Sequence, residues 1–122
     1  MRLKALVFAA GFLCPASGFA QDLFLGFVTG NRLLEICSPV KGPSCYGYVE
    51  GVADDAQATF SALHMQQHAL FCLPQGVTTT QLVDIAINYL RDHPEHRHTV
   101  ASANVVLALA NEFPCPRERA GG

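Results

Sequence analysis

Four cysteines, Cys37, Cys45, Cys72 and Cys115, follow the first twenty residues, and each falls near an end of a predicted helix. No C-x-x-C spacing is present, and an even cysteine set in an exported chain favours disulfides over metal thiolates or a redox thiol. The placement therefore predicts an all-α fold, a small disulfide-stapled bundle of about four helices.

Export is expected from the N-terminal pattern. Arg2 and Lys4 precede an apolar run from Ala5 to Leu13, and Pro15, Ala16, Ser17, Gly18 and Ala20 lead to Gln21. This is the order of a cleaved secretory signal, assigned to residues 1–20. Its apolar run is too short for a bilayer span of roughly 20 residues, so no membrane insertion is expected after cleavage. Cys14 lies between Leu13 and Pro15 rather than behind a small residue, which argues against lipid attachment; it is expected to leave with the signal.

Residues 21–122 then form a single domain with one modest core, spanning about 30–115. The whole chain carries eight basic and ten acidic residues, a formal charge of −2. Without Arg2 and Lys4, six basic residues stand against ten acidic ones, or −4. A mildly acidic surface argues against nucleic acid or an anionic membrane as the main partner.

Hydrophobic spacing marks the helices. Gln21 to Val28 has no helical stripe, and Thr29 or Asn31 is a cap for a short helix through Leu33, Leu34 and Ile36 to Cys37. Ser38, Pro39, Gly42 and Pro43 break the chain. Ser44 is the expected cap of a second helix with a core stripe of Val49, Val52, Ala53, Ala56, Phe60 and Leu63. Gly47 and Gly51, four apart on it, would let another backbone approach closely, within the fold or in a dimer.

After a break at Phe71 to Gly76, Thr78 and Gln81 form a capping box with Val77 and Leu82 as the hydrophobic staple. Leu82, Ile85, Ala86, Tyr89 and Leu90 give the amphipathic stripe of a third helix. Asp92, His93 and Pro94 end it. A fourth helix is expected over Thr99 to Phe113, with Val100, Ala103, Val106, Leu107 and Ala110 inward and Pro114 as the stop. The tail from Pro116 to Gly122 is expected to fray.

An up-and-down arrangement puts Cys37 near Cys45 at one pole and Cys72 near Cys115 at the other. It favours those two bridges among three possible pairings, which sequence alone leaves open. In the chain-entropy model the longer loop contributes roughly 4 kcal/mol against about 2 to 3 for the shorter, so its loss is expected to hurt folding more.

Candidate chemistry is sparse. His64 and His68 sit four apart on a predicted helix, the spacing of two zinc-protease histidines, but Met65 stands where the general-base glutamate belongs. His93, Glu95, His96 and His98 add potential ligands; these histidines read as solvated or bonded to helix ends rather than as a metal site. Glu50 and Asp54 share a helix face beside Asp55, which reads as a solvated or partner-facing acidic patch. With both bridges formed no cysteine is free as a nucleophile, no serine sits in an elbow motif, and no glycine-rich phosphate loop is present. No catalytic centre, no enzyme activity and no cofactor are expected.

The ordered set of Leu34 to Cys37, Cys45-Tyr46-Gly47-Tyr48-Val49-Glu50-Gly51-Val52-Ala53-Asp54 and Phe71-Cys72-Leu73-Pro74-Gln75-Gly76-Val77-Thr78 resembles the Rap/Tai immunity proteins of type VI secretion amidases. Gln81-Leu82-Val83, Tyr89-Leu90, His93-Pro94-Glu95, Arg97-His98, Ala101-Ser102 and Phe113-Pro114-Cys115 continue it in order. The resemblance implies a small helical periplasmic protein, commonly dimeric. Such a protein binds a toxic peptidoglycan amidase, typically a papain-like cysteine-histidine peptidase, and blocks its active site. The matching residues are mainly scaffold positions and do not identify the toxin contacts. The polar connection containing Asp92, His93, Glu95 and His96 is the first candidate for the partner-binding surface, and Glu50 with Asp54 is the second. The alternative is a periplasmic metal-binding or chaperone-like helical protein without a toxin partner.

Overall fold

Thr29 caps the first helix, α1 (Gly30–Ile36), its hydroxyl accepting from the backbone N–H of Arg32 at 3.2 Å. That bond satisfies one of the N–H groups a helix start leaves without a partner. The computed structural model describes residues 26–117; the export segment, Cys14 and most of the tail lie outside them. Three further helices follow: α2 (Pro43–Ala62), α3 (Thr79–Asp92) and α4 (Ala101–Glu112). Short 3-10 turns occupy Gln66–His68 and Pro94–His96. No helix among the described residues is long and apolar enough to cross a membrane.

The expected start of α2 is corrected by the structure. Gly42 is the cap and Pro43, read as a breaker, opens the helix, leaving Ser44 inside it. Proline fits the first helical position because its fixed φ is already helical and its missing N–H is not needed there. In α3 the capping box forms as expected: the Thr78 N–H donates to Gln81 Oε1 at 2.8 Å and the Gln81 N–H to Thr78 Oγ1 at 3.3 Å.

Packed between α2 and α4, α3 buries a broad face of Leu82, Val83, Ala86, Ile87 and Leu90. With Leu33, Val49, Ala53, Phe71, Val105 and Leu109 these residues form one core. Ile85 and Tyr89, expected inside, are half-buried because the face is turned toward Val83 and Ile87. α4 also turns away from expectation. It buries Ala101, Asn104, Val105, Ala108 and Leu109, while Ala103 and Leu107 are exposed and Val106 and Ala110 half-buried. α4 is apolar nearly all round, so periodicity does not select one face.

The two favoured disulfides form, Cys37–Cys45 with Cα atoms 5.0 Å apart and Cys72–Cys115 with 4.9 Å. Cys37 ties the end of α1 to the start of α2, and Cys72 ties the segment after α2 to the end of α4. Around Cys72 the backbone N–H donates to the Phe113 carbonyl at 2.9 Å, and the neighbouring Phe71 is buried.

α2 stops earlier than its sequence predicts. His64 takes φ 54°, its N–H donates to the Ser61 carbonyl, and the Met65 N–H donates to the Phe60 carbonyl. This is the left-handed Schellman stop usually made by glycine. Leu63 is consequently 60% exposed rather than a core residue.

At the other end of the bundle, Thr29 and Val100 form an isolated antiparallel bridge. The Gly30 N–H donates to the Thr99 carbonyl and the Asn31 N–H to the Arg97 carbonyl. A Cβ on Gly30 would lie 2.8 Å from Leu90 Cδ2 and 2.9 Å from the Arg97 Cα, so the helix start can sit this close only with glycine.

Candidate functional site

The connection between α3 and α4 is a built structure rather than a loose loop. Pro94 opens a 3-10 turn, and the chain returns into α4 through Thr99 and Val100. Arg97 fastens its base: Nε donates to the Leu90 carbonyl at 2.6 Å and an Nη to the Arg91 carbonyl at 2.7 Å. These are two of the carbonyls that the end of α3 leaves without helical partners, and a cation there also complements the helix dipole.

Asn104, 1% exposed inside α4, holds the other side. Its Nδ2 reaches the His96 carbonyl at 3.2 Å, Thr99 Oγ1 at 3.1 Å and the Val100 carbonyl at 3.0 Å. Thr99 Oγ1 in turn donates to the His96 carbonyl at 2.7 Å. Neither Arg97 nor Asn104 is expected from sequence to support this connection, because each acts mainly through backbone carbonyls, four to eight residues away.

Of the expected contact residues, the structure brings His93, Glu95 and His96 together. His93 Nδ1 lies 2.9 Å from Glu95 Oε1, and His96 Nε2 lies 3.8 Å from the same oxygen. Tyr89 Oη lies 2.9 Å from His96 Nδ1, and the two imidazole rings are nearly parallel, 10° apart in plane with centroids at 5.3 Å. His93 beside Glu95 holds its carboxyl below the usual glutamate range, with a backbone bond and His96 adding to the effect. Asp92 is exposed at the end of α3.

Glu50 and Asp54 are exposed on α2 and make no ion pair with this cluster among the described residues. His64 and His68 do not share a helix as expected, since α2 has ended before both. Among the described residues the only trio of metal-ligating types with mutually close atoms is His93, Glu95 and His96, whose ligand atoms all lie within 4.8 Å of one another.

A second surface feature lies between α2 and α4. Gly47, Gly51, Val52, Ala103, Val106 and Leu107 line much of an open groove of about 830 Å³, bordered by Leu70 and Tyr48. Leu107 is 47% and Leu70 51% exposed. No atom lies within 4 Å of a Cβ placed on either glycine, so the glycines are not packing a helix within the fold. Tyr48 is partly buried here, which raises its phenol above the ordinary tyrosine value, while hydrogen bonding to Ser102 opposes the rise.

All four cysteines among the described residues are in disulfides, so none of them is a thiolate nucleophile. The described surface thus carries a braced polar connection at one place and an apolar groove at another. No curated protein and no solved structure matches the chain. The family model described as Rap1a immunity proteins matches residues 29–115, from the cap of α1 to the last cysteine of the second bridge. That span contains all four helices and both disulfides, and the chain belongs to the Rap1a immunity protein family, with the toxin-immunity role and the toxin partner which that membership carries.

Proposed function

We propose that this protein is a periplasmic immunity protein that binds and inhibits a peptidoglycan amidase delivered by type VI secretion, protecting the producing cell and its kin. The single observation that carries the contact assignment is the bracing of the α3–α4 connection by Arg97 and Asn104. An inhibitory segment binds best when its shape is fixed before contact, because ordering it on binding costs roughly 0.5–1.5 kcal/mol per side chain. The connection presents Asp92, His93 and Glu95 at the surface on such a support, and it enters the enzyme's active-site cleft. The exposed Glu50 and Asp54 face is the secondary contact.

Export through residues 1–20 places the protein in the compartment where its two bridges persist. A second copy packs on the groove between α2 and α4, where Gly47 and Gly51 admit close helix approach and Leu107 supplies apolar area.

The test is recovery of partners from the secreted proteins of the source cells by the folded, disulfide-bonded domain, read by mass spectrometry. A stoichiometric complex with one amidase, lost on combined alanine substitution of Asp92, Glu95 and His96, is expected. A complex unchanged by those substitutions would remove the connection as the contact. Recovery of a toxin of a different chemical class would overturn the amidase assignment.

A further inference from the structure

The cluster at Tyr89, His93, Glu95 and His96 has a geometry that toxin recognition alone does not require. In a 3-10 turn there are three residues per revolution, so positions i and i+3 project on the same side. His93, capping the turn, and His96, ending it, therefore stack, with Glu95 between them facing both rings. We propose that His93, Glu95 and His96 form a three-ligand site for a zinc-class divalent cation, with water completing the coordination.

The donor set supports this choice. Two imidazole nitrogens and one carboxylate oxygen are the ligands of open zinc sites, in which three protein groups leave a fourth position free. Donors held about 2 Å from a tetrahedral ion stand a little over 3 Å from one another. The observed 2.9 Å and 3.8 Å separations bracket that value. The two histidine nitrogens lie within 4.8 Å of each other, so the nearly parallel rings turn toward a common point to admit the ion.

His96 is also oriented in the way a metal-binding histidine requires. Tyr89 Oη engages its Nδ1 at 2.9 Å, which leaves Nε2 as the nitrogen directed at Glu95. The contact holds the ring plane, and in the tautomer with Nδ1–H donating to the phenol oxygen Nε2 carries the lone pair a metal needs; removing such a partner typically weakens metal binding roughly 10–100-fold. Tyr89 is thus a positioning residue, itself anchored in α3 beside the buried Leu90. Hard oxygen-seeking cations such as calcium and magnesium do not suit a site dominated by imidazole.

Equilibrium dialysis of the folded, disulfide-bonded domain against zinc near neutral pH, followed by metal analysis, tests the site without any toxin. Its outcome is therefore separate from that of the immunity proposal. One equivalent of zinc per chain is expected. H93A and H96A should each weaken binding at least about tenfold, and Y89F by about tenfold through loss of orientation. H64A/H68A should leave it unchanged. H93A retains the Tyr89–His96 pairing, so it reports on the ligand even where H96A loosens the turn; circular dichroism checks that each variant is folded. Cobalt substitution should give a visible absorption band of low-coordinate geometry that is lost in H93A. Absence of bound zinc, or binding equal in wild type and the H93A/H96A double variant, would overturn the site.

Discussion

The side-chain amide of Asn104 lies 3.2 Å from the carbonyl of His96, so a buried residue in the first turn of α4 holds the connection that precedes it. The amide serves two further acceptors, Thr99 Oγ1 and the Val100 carbonyl, at the helix start that has no side-chain cap of its own. Asn104→Ala removes these bonds and leaves a small void. Together these cost about 2 kcal/mol, or about 10 °C in melting temperature for a domain of this size. Hydrogen exchange at the Thr99 amide should accelerate more than at core amides of α3. Equal acceleration in both would mean that Asn104 acts on global stability rather than on the connection.

What could be read ahead of the structure divides along the range of the interactions involved. The start of α3 was legible because Thr78 and Gln81 satisfy each other within one turn. Both bridges were legible because their ends follow from helix order. The inward face of α4 was not: Val106 and Leu107 are as apolar as Val105 and Leu109, and only packing against the other helices separates them. The stop of α2 was hidden as well, since His64 adopts the left-handed conformation without the glycine that signals it. At the candidate site the polar residues Asp92 to His96 stood out in the sequence. Their support by Arg97 and Asn104 did not, because it runs through backbone carbonyls.

The two disulfides should differ in the mechanism of their stabilisation. Chain entropy assigns about 4 kcal/mol to the Cys72–Cys115 loop and about 2.5 to the Cys37–Cys45 loop. Cys37 and Cys45 are, however, core residues at 2% and 0% exposure, while Cys72 is exposed. Replacing Cys37 and Cys45 with serine should therefore cost more than replacing them with alanine, by about 1 kcal/mol or more, because hydroxyls are buried among apolar neighbours. At Cys72 and Cys115 the serine and alanine pairs should agree within about 0.5 kcal/mol. Denaturant melts of the four variants measure this directly. A serine penalty at Cys72 and Cys115 as large as in the core pair would contradict the assigned environments.

Tyr48 provides a test at alkaline pH. Burial favours its neutral phenol, so its ionisation in the folded protein is shifted above the ordinary tyrosine value. Its contribution to stability is complete below the unfolded-state value and is lost as pH rises through the raised folded value. Ultraviolet difference titration should show one tyrosine ionising late, absent in Y48F. Ser102→Ala should move it later still, since hydrogen bonding to Ser102 favours the ionised form. An earlier ionisation in the alanine variant would refute that role for Ser102.

Gly47 and Gly51 allow folding to be tested apart from the proposed self-association. Each occupies the interior of α2, where glycine is less favourable than alanine by roughly 0.5–1 kcal/mol, and a Cβ at either position meets nothing within 4 Å. Gly47→Ala and Gly51→Ala should therefore stabilise the monomer by about that amount each, measured by denaturation at low protein concentration. A leucine at either position still fits the isolated chain but fills the groove lined by Ala103, Val106 and Leu107. If a second copy seats there, Gly51→Leu should shift sedimentation at high concentration toward monomer while leaving the fold intact. Wild-type association in that variant would mean that the glycines serve a different contact, and the groove would no longer be the site of pairing.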